Sequence, residues 1–195
     1  MSDGRLHQVL ERIDALNRED PNREPAGLVP QPRELLYSQW LTEWVLRLNP
    51  QASEPLRIAA RGQHVQRWTI PRERYPRNRQ GYLRWREQLK AFHAKTVAGL
   101  MQEAGYPEET SEQTRRLILK KDLQDPDTQA LEDALCLVFL EHQFEDLRRK
   151  TPEATMRDVV RKTWKKMSPR ARELAAGLSL PEDTKAWLAE TLRPD

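Results

Sequence analysis

Fourteen prolines against seven glycines constrain this 195-residue chain more than any other feature of its sequence. Glycine is ordinarily the commoner of the two. Pro55, Pro107, Pro126, Pro152, Pro169 and Pro181 each stand just before or at the start of an apolar-periodic stretch. A helix tolerates proline there, because the N–H groups of its first turn have no intrahelical acceptor to lose. Ser53-Glu54-Pro55, Asp125-Pro126, Thr151-Pro152 and Ser168-Pro169 add side chains that can cap a helix. Between these marks the three-and-four spacing of apolar residues predicts helices over 4–17, 32–48, 54–66, 80–104, 108–120, 127–149, 152–167, 169–176 and 181–192. No run of strict alternation competes with them, so the expected fold is all-α, a single compact domain of about nine helices.

The scarcity of glycine also bears on function. Neither G-x-G-x-x-G nor G-x-x-x-x-G-K-[ST] occurs, so nucleotide binding through a glycine-rich loop is not supported. With 37% hydrophobic and 32% charged residues, no stretch approaches the roughly 20 consecutive apolar residues of a membrane span. The first residues lack the basic and apolar regions of a secretory signal, and a lone Cys136 excludes a disulfide framework. The expectation is a cytoplasmic protein without a membrane partner. Two segments are irregular: Asp20 to Pro32, with four prolines and a glycine, reads as an extended arm, and Trp68 to Gly81 carries Pro71, Pro76 and four arginines.

The net charge of +3 conceals an uneven distribution. Between Arg61 and Lys90, nine basic residues face only Glu73 and Glu87, a local +7 that leaves the rest of the chain at −4. Trp68, Tyr75, Tyr82 and Trp85 interleave with the arginines. Arginine forks suit phosphate and aromatic faces stack on bases, so a nucleotide, another phosphate-bearing small molecule or RNA is an expected partner. The competing reading is a solvated face whose arginines pair with acidic neighbours. A second basic cluster, Arg161, Lys162, Lys165 and Lys166 around Trp164, reads as a solvated helix face.

Two of the four histidines fall on apolar stripes. His64 follows Leu56, Ala59, Ala60 and Gln63, and His93 lies four residues from both Leu89 and Val97, so both are expected to point inward. Glu132 and Asp133 precede seven consecutive nonpolar residues, Ala134 to Leu140, in what should be the central helix. Buried carboxylates need partners, and inward histidines could supply them. Two histidines and a carboxylate can hold a divalent metal ion; equally, they can form a hydrogen-bonded network that joins helices without metal.

The strings Asp20-Pro21-Asn22-Arg23-Glu24, Glu34-Leu35-Leu36-Tyr37-Ser38-Gln39, Ala59-Ala60-Arg61-Gly62-Gln63-His64, Arg67-Trp68-Thr69-Ile70-Pro71-Arg72, Gly81-Tyr82-Leu83-Arg84-Trp85-Arg86, Phe92-His93 and Leu131-Glu132-Asp133 resemble the bacterial and fungal family of unknown function numbered 4202. At superfamily level the chain is also similar to HD-domain metal-dependent phosphohydrolases, with Gln63-His64 where those proteins carry His-Asp and no histidine near Tyr37-Ser38-Gln39. That second resemblance implies an HD-like helical core over 33–149, between an N-terminal helix and arm (1–32) and C-terminal helices (150–195). It implies His64, His93 and Asp133 as ligands of a divalent metal ion. Glu132 would then accept a proton from bound water, and Arg61, Arg67, Lys120 and Lys121 would neutralise substrate phosphate. The resulting expectation is a metal-dependent phosphohydrolase with a reduced HD-type site. The alternatives are a nonenzymatic nucleotide- or RNA-binding module built on residues 61–90 and a regulatory interaction domain.

Overall fold

The computed structural model describes residues 2–122 and 124–193. Ten α-helices account for most of it, and the only paired strands among the described residues are two of two residues each. The all-α expectation holds. No described helix is long and apolar enough to cross a membrane. The chain divides into two compact units, residues 1–128 and 129–195, with the boundary inside one helix.

The first unit holds α1 (Ser2–Arg18), α2 (Arg33–Leu48), α3 (Glu54–Gly62), α4 (Arg79–Glu103) and α5 (Glu108–Leu119), and it contains the start of α6 (Pro126–Val138). Between α1 and α2 the expected arm folds back on itself as an antiparallel pair, β1 (Arg23–Glu24) on β2 (Gln31–Pro32). Asp20 fastens the base of that arm. Its Oδ1 accepts from the backbone N–H and side-chain amide of Asn22, at 2.9 and 2.8 Å, and its Oδ2 accepts from the Glu34 N–H at 3.0 Å. The core gathers the apolar faces of these helices, among them Ile13, Leu41, Leu56, Ile58, Val97 and Leu117, all fully buried.

Helix starts fall where the punctuation placed them. Ser53 Oγ accepts from the Leu56 N–H and donates to Asp127 Oδ2, and Asp125 Oδ1 accepts from the Asp127 N–H. One helix end departs from the periodicity. The helix expected over 54–66 stops at Gly62, and the chain turns through Gln66 in a left-handed conformation (φ 51°) into a 3₁₀ turn at Arg67–Thr69. Packing sets this end, since a Cβ on Gly62 would lie 2.3 Å from Val97 Cγ2, while Asn17 Oδ1 captures the Gln66 N–H at 3.0 Å. His64 therefore occupies the turn and not the helix face expected for it.

The second unit continues α6 and adds α7 (Phe144–Lys150), α8 (Glu153–Lys166), α9 (Pro169–Ala176) and α10 (Glu182–Thr191). The helix expected over 127–149 is interrupted by a π-helical turn, Phe139–Gln143. Leu131, Ala134, Leu137 and Val138 are fully buried, which fits the central role expected of this segment. Thr151 does not cap α8, whereas Ser168 caps α9 by accepting from the Ala171 N–H at 3.2 Å. Arg161, Lys162, Lys165 and Lys166 are exposed while Met156, Val160 and Met167 are buried, as a solvated helix face requires.

Candidate functional site

Glu34, His64 and Arg67 form a group of ionisable side chains where the start of α2 meets the turn after α3. Glu34 is placed there by its backbone: Asp20 holds its N–H and Asn17 Nδ2 donates to its carbonyl at 3.4 Å. Its carboxylate, 10% exposed, has Oε2 3.1 Å from His64 Nδ1 and Oε1 4.0 Å from Arg67 Nε. Arg67 Nη1 lies 3.0 Å from His64 Nε2. An arginine offers only donors, so His64 Nε2 accepts, the ring is neutral, and its Nδ1–H donates to Glu34. Tyr37, one turn beyond Glu34, stacks flat on the imidazole with centroids 4.1 Å apart and planes 10° apart. Solvent reaches the group through His64 and Arg67, whose side chains are 19% and 30% exposed.

Burial governs protonation here. It pushes the Glu34 carboxyl up to about 7, against the pull of the Arg67 guanidinium. It holds His64 well below the ordinary imidazole value, helped by the positive charges of Arg67, Arg86 and Lys120. His93 on α4 is 2% exposed and is depressed to about 3, chiefly by burial. A carbonyl can only accept, so His93 Nδ1–H donates to Val65 O at 2.9 Å. Its Nε2 lone pair is buried and without a partner, and its ring centroid lies 6.1 Å from that of His64.

The remaining expected site residues are distributed as follows. Arg61 turns to α1, where its Nε lies 3.0 Å from Asp14 Oδ1 in a largely buried pair. Lys120 ends α5 in a left-handed conformation (φ 55°) and acts on His64 through its charge, while Lys121 is exposed. Glu132 and Asp133 belong to the second unit. Glu132 pairs with Lys166 at 3.2 Å. Asp133 Oδ1 accepts from the Ser168 N–H and Gln129 Nε2 at 2.8 and 2.9 Å, and its Oδ2 accepts from Ser168 Oγ at 2.5 Å.

Among the ligands expected for a divalent ion, His93 Nε2 alone presents an unpartnered lone pair. His64 would have to release Arg67, and Asp133 would have to release the cap of α9. Among the described residues no group of three or more His, Cys, Asp or Glu is gathered as a metal cluster. An apolar cavity of about 260 Å³ in the second unit has Lys185 as its one charged lining residue, so it offers no comparable acid–base group. Glu34, Tyr37, Asn17 and Asp20 were not among the expected site residues. Their sequence signal is local and faint: the Asp20-Pro21-Asn22 turn, and an acid opening an apolar helix.

Fold and site together define an all-helical protein with a carboxylate, an imidazole and a guanidinium joined in one row. Residues 7–188 match the family described as Domain of unknown function (DUF4202), and the chain belongs to that family. No curated protein and no solved structure matches it.

Proposed function

We propose that the chain is a hydrolase of a phosphate-bearing substrate, with the reaction centred on Glu34, His64 and Arg67. The observation that carries this reading is the hydrogen-bonded row itself, partly open to solvent at its His64–Arg67 end. In the free protein the guanidinium occupies His64 Nε2. A substrate phosphate competes for that guanidinium, because fork-to-oxyanion hydrogen bonds are charge-assisted and stronger than a bond to a neutral ring. The freed Nε2 lone pair then takes a proton from water as the water oxygen bonds to phosphorus. The ester P–O bond breaks, and the imidazolium returns the proton to the leaving oxygen. Glu34 is a positioning residue that fixes the tautomer through Nδ1–H and offsets the transient positive charge. No step is assigned to a metal ion, and His93 Nε2 is the group that would hold one.

The test is turnover of nitrophenyl phosphate mono- and diesters and of nucleotides by the full chain, with and without added divalent ions. His64→Ala is expected to lower kcat/KM by about 100-fold or more. Equal turnover by the variant, or none by the wild type under any loading, removes the hydrolase reading. A chelator that abolishes activity, restored only when His93 is intact, would bring the ion into the site. The binding-module reading has its own support in the exposed arginines of the loop before α4 and of its first turns.

A further inference from the structure

We infer that the first unit binds single-stranded nucleic acid along the loop before α4 and the first turns of that helix, so that the phosphate-bearing substrate is a polymer. Only the cleavage of that polymer rests on the hydrolase reading; the binding does not.

The arginines of this segment divide into two groups. Arg61 and Arg67 are taken up by Asp14 and by the Glu34–His64 row, and Arg72 is spent on the loop itself. Its two terminal nitrogens donate to the carbonyls of Tyr75 and Pro76 at 2.9 and 2.8 Å. Arg74, Arg77, Arg79 and Arg84 are exposed, and their guanidinium groups make no hydrogen bond or ion pair with any described residue. Over 72–86 the only acidic residue is Glu73, and Glu87, just beyond, is held by Lys90. The first turn of α4 contains no acid, so its positive dipole end adds to the same field. Arginines without local partners remain hydrated and available to phosphate oxygens.

An aromatic platform lies among them. Arg79, Tyr82 and Arg86 share one face of α4 by their spacing. Tyr82 is 42% exposed, and Arg86 both donates to its Oη at 3.1 Å and lies over its ring at 5.9 Å. This alternation of exposed cations with an open ring is how base-stacking, backbone-tracking surfaces are built. Arg86 also connects the surface with the row described above, since its charge reaches His64. Trp85 makes a second connection: its ring lies beneath Arg67 at 4.9 Å and Arg72 at 5.9 Å, and its Nε1–H donates to Ile70 O. The platform is preorganised, because Arg72 and Trp85 hold the loop and Gly81 packs on Pro76 so closely that a Cβ would meet its carbonyl oxygen at 2.1 Å. A preorganised cationic loop loses less entropy on binding than a mobile one.

The experiment is fluorescence anisotropy of the full chain with a labelled 20-nucleotide RNA and the matching single-stranded DNA, from 50 to 200 mM salt. Contacts to about four phosphates give a log–log salt slope near −3 for a single strand. Binding of both strands assigns recognition to phosphate and base, whereas binding of RNA alone adds the sugar hydroxyl; either supports the inference. Replacing Arg77, Arg79 and Arg84 together by Glu is expected to abolish binding at 200 mM salt, and Tyr82→Ala is expected to weaken it about fivefold or more. Both variants alter exposed side chains, and an unchanged thermal transition verifies their fold. His64→Ala is expected to bind the oligonucleotide as the wild type does while losing turnover, which separates failure of binding from failure of hydrolysis. The inference is overturned if neither oligonucleotide binds at 50 mM salt, or if the triple variant binds like the wild type. Equal affinity for poly-glutamate or for anionic vesicles would also overturn it, since the surface would then be a general anion exchanger.

Discussion

Glu34 carries two consequences that can be measured. Its folded-state value of about 7 lies above the ordinary 4.5, so its contribution to stability is complete below pH 4.5 and is lost as pH rises through 7. His93 runs the other way: its value is depressed to about 3, so its contribution is present above 6.5 and is lost as pH falls. The two slopes oppose each other between pH 4.5 and 6.5. Glu34→Gln removes one of them. Between pH 4.5 and 7 the wild type is expected to lose on the order of 3 kcal/mol relative to the variant, read from urea unfolding at a series of pH values. Parallel stability curves would show that Glu34 titrates normally. Asp133 allows a sharper structural test. Its carboxylate accepts three hydrogen bonds, two of them from Ser168, so Asp133→Ala is expected to cost about 3 kcal/mol, and Asp133→Asn less. An Asp133→Ala protein as stable as the wild type would return this carboxylate to the ligand set that the HD resemblance implies.

Elements differ in how much of them the sequence makes legible. Starts were readable because Pro55, Pro126, Pro169 and the capping serines act on their own first turns, within a few residues. The end of α3 was not, because it is imposed by contacts distant in sequence: Val97 closing on Gly62, and Asn17 taking the Gln66 N–H. The same division runs through the site. His93 was readable as inward-facing from its apolar neighbours, whereas His64 reaches its place beside that ring from the turn after α3 and not from the helix face its spacing implied. Glu34 was not, because its burial depends on Asp20 and Asn17, more than a dozen residues upstream. The approach of Pro76 to Gly81 in α4 spans only five residues, and it is testable. Gly81→Ala places a methyl group against a backbone carbonyl, which cannot give way as a side chain can, so a loss of about 2 kcal/mol or more is expected. An unchanged melting temperature would mean that the loop is free to move, and would weaken the case for a preformed platform.

Across the whole molecule, charge and chemistry are unevenly placed. Residues 129–195 hold twelve basic and twelve acidic residues, so the net charge of +3 resides entirely in the first unit. That unit also holds the carboxylate–imidazole–guanidinium row. The second unit is marked instead by the π-helical turn between α6 and α7. Such a turn holds one residue more than α-helical phase allows. Every side chain after Gln143 is therefore rotated by about 100° from where an uninterrupted helix would carry it. Two relatives differing by a single residue between 139 and 143 could look nearly identical on paper and yet present different faces from that point on, so their common ancestry would be better traced by helical phase than by residue count.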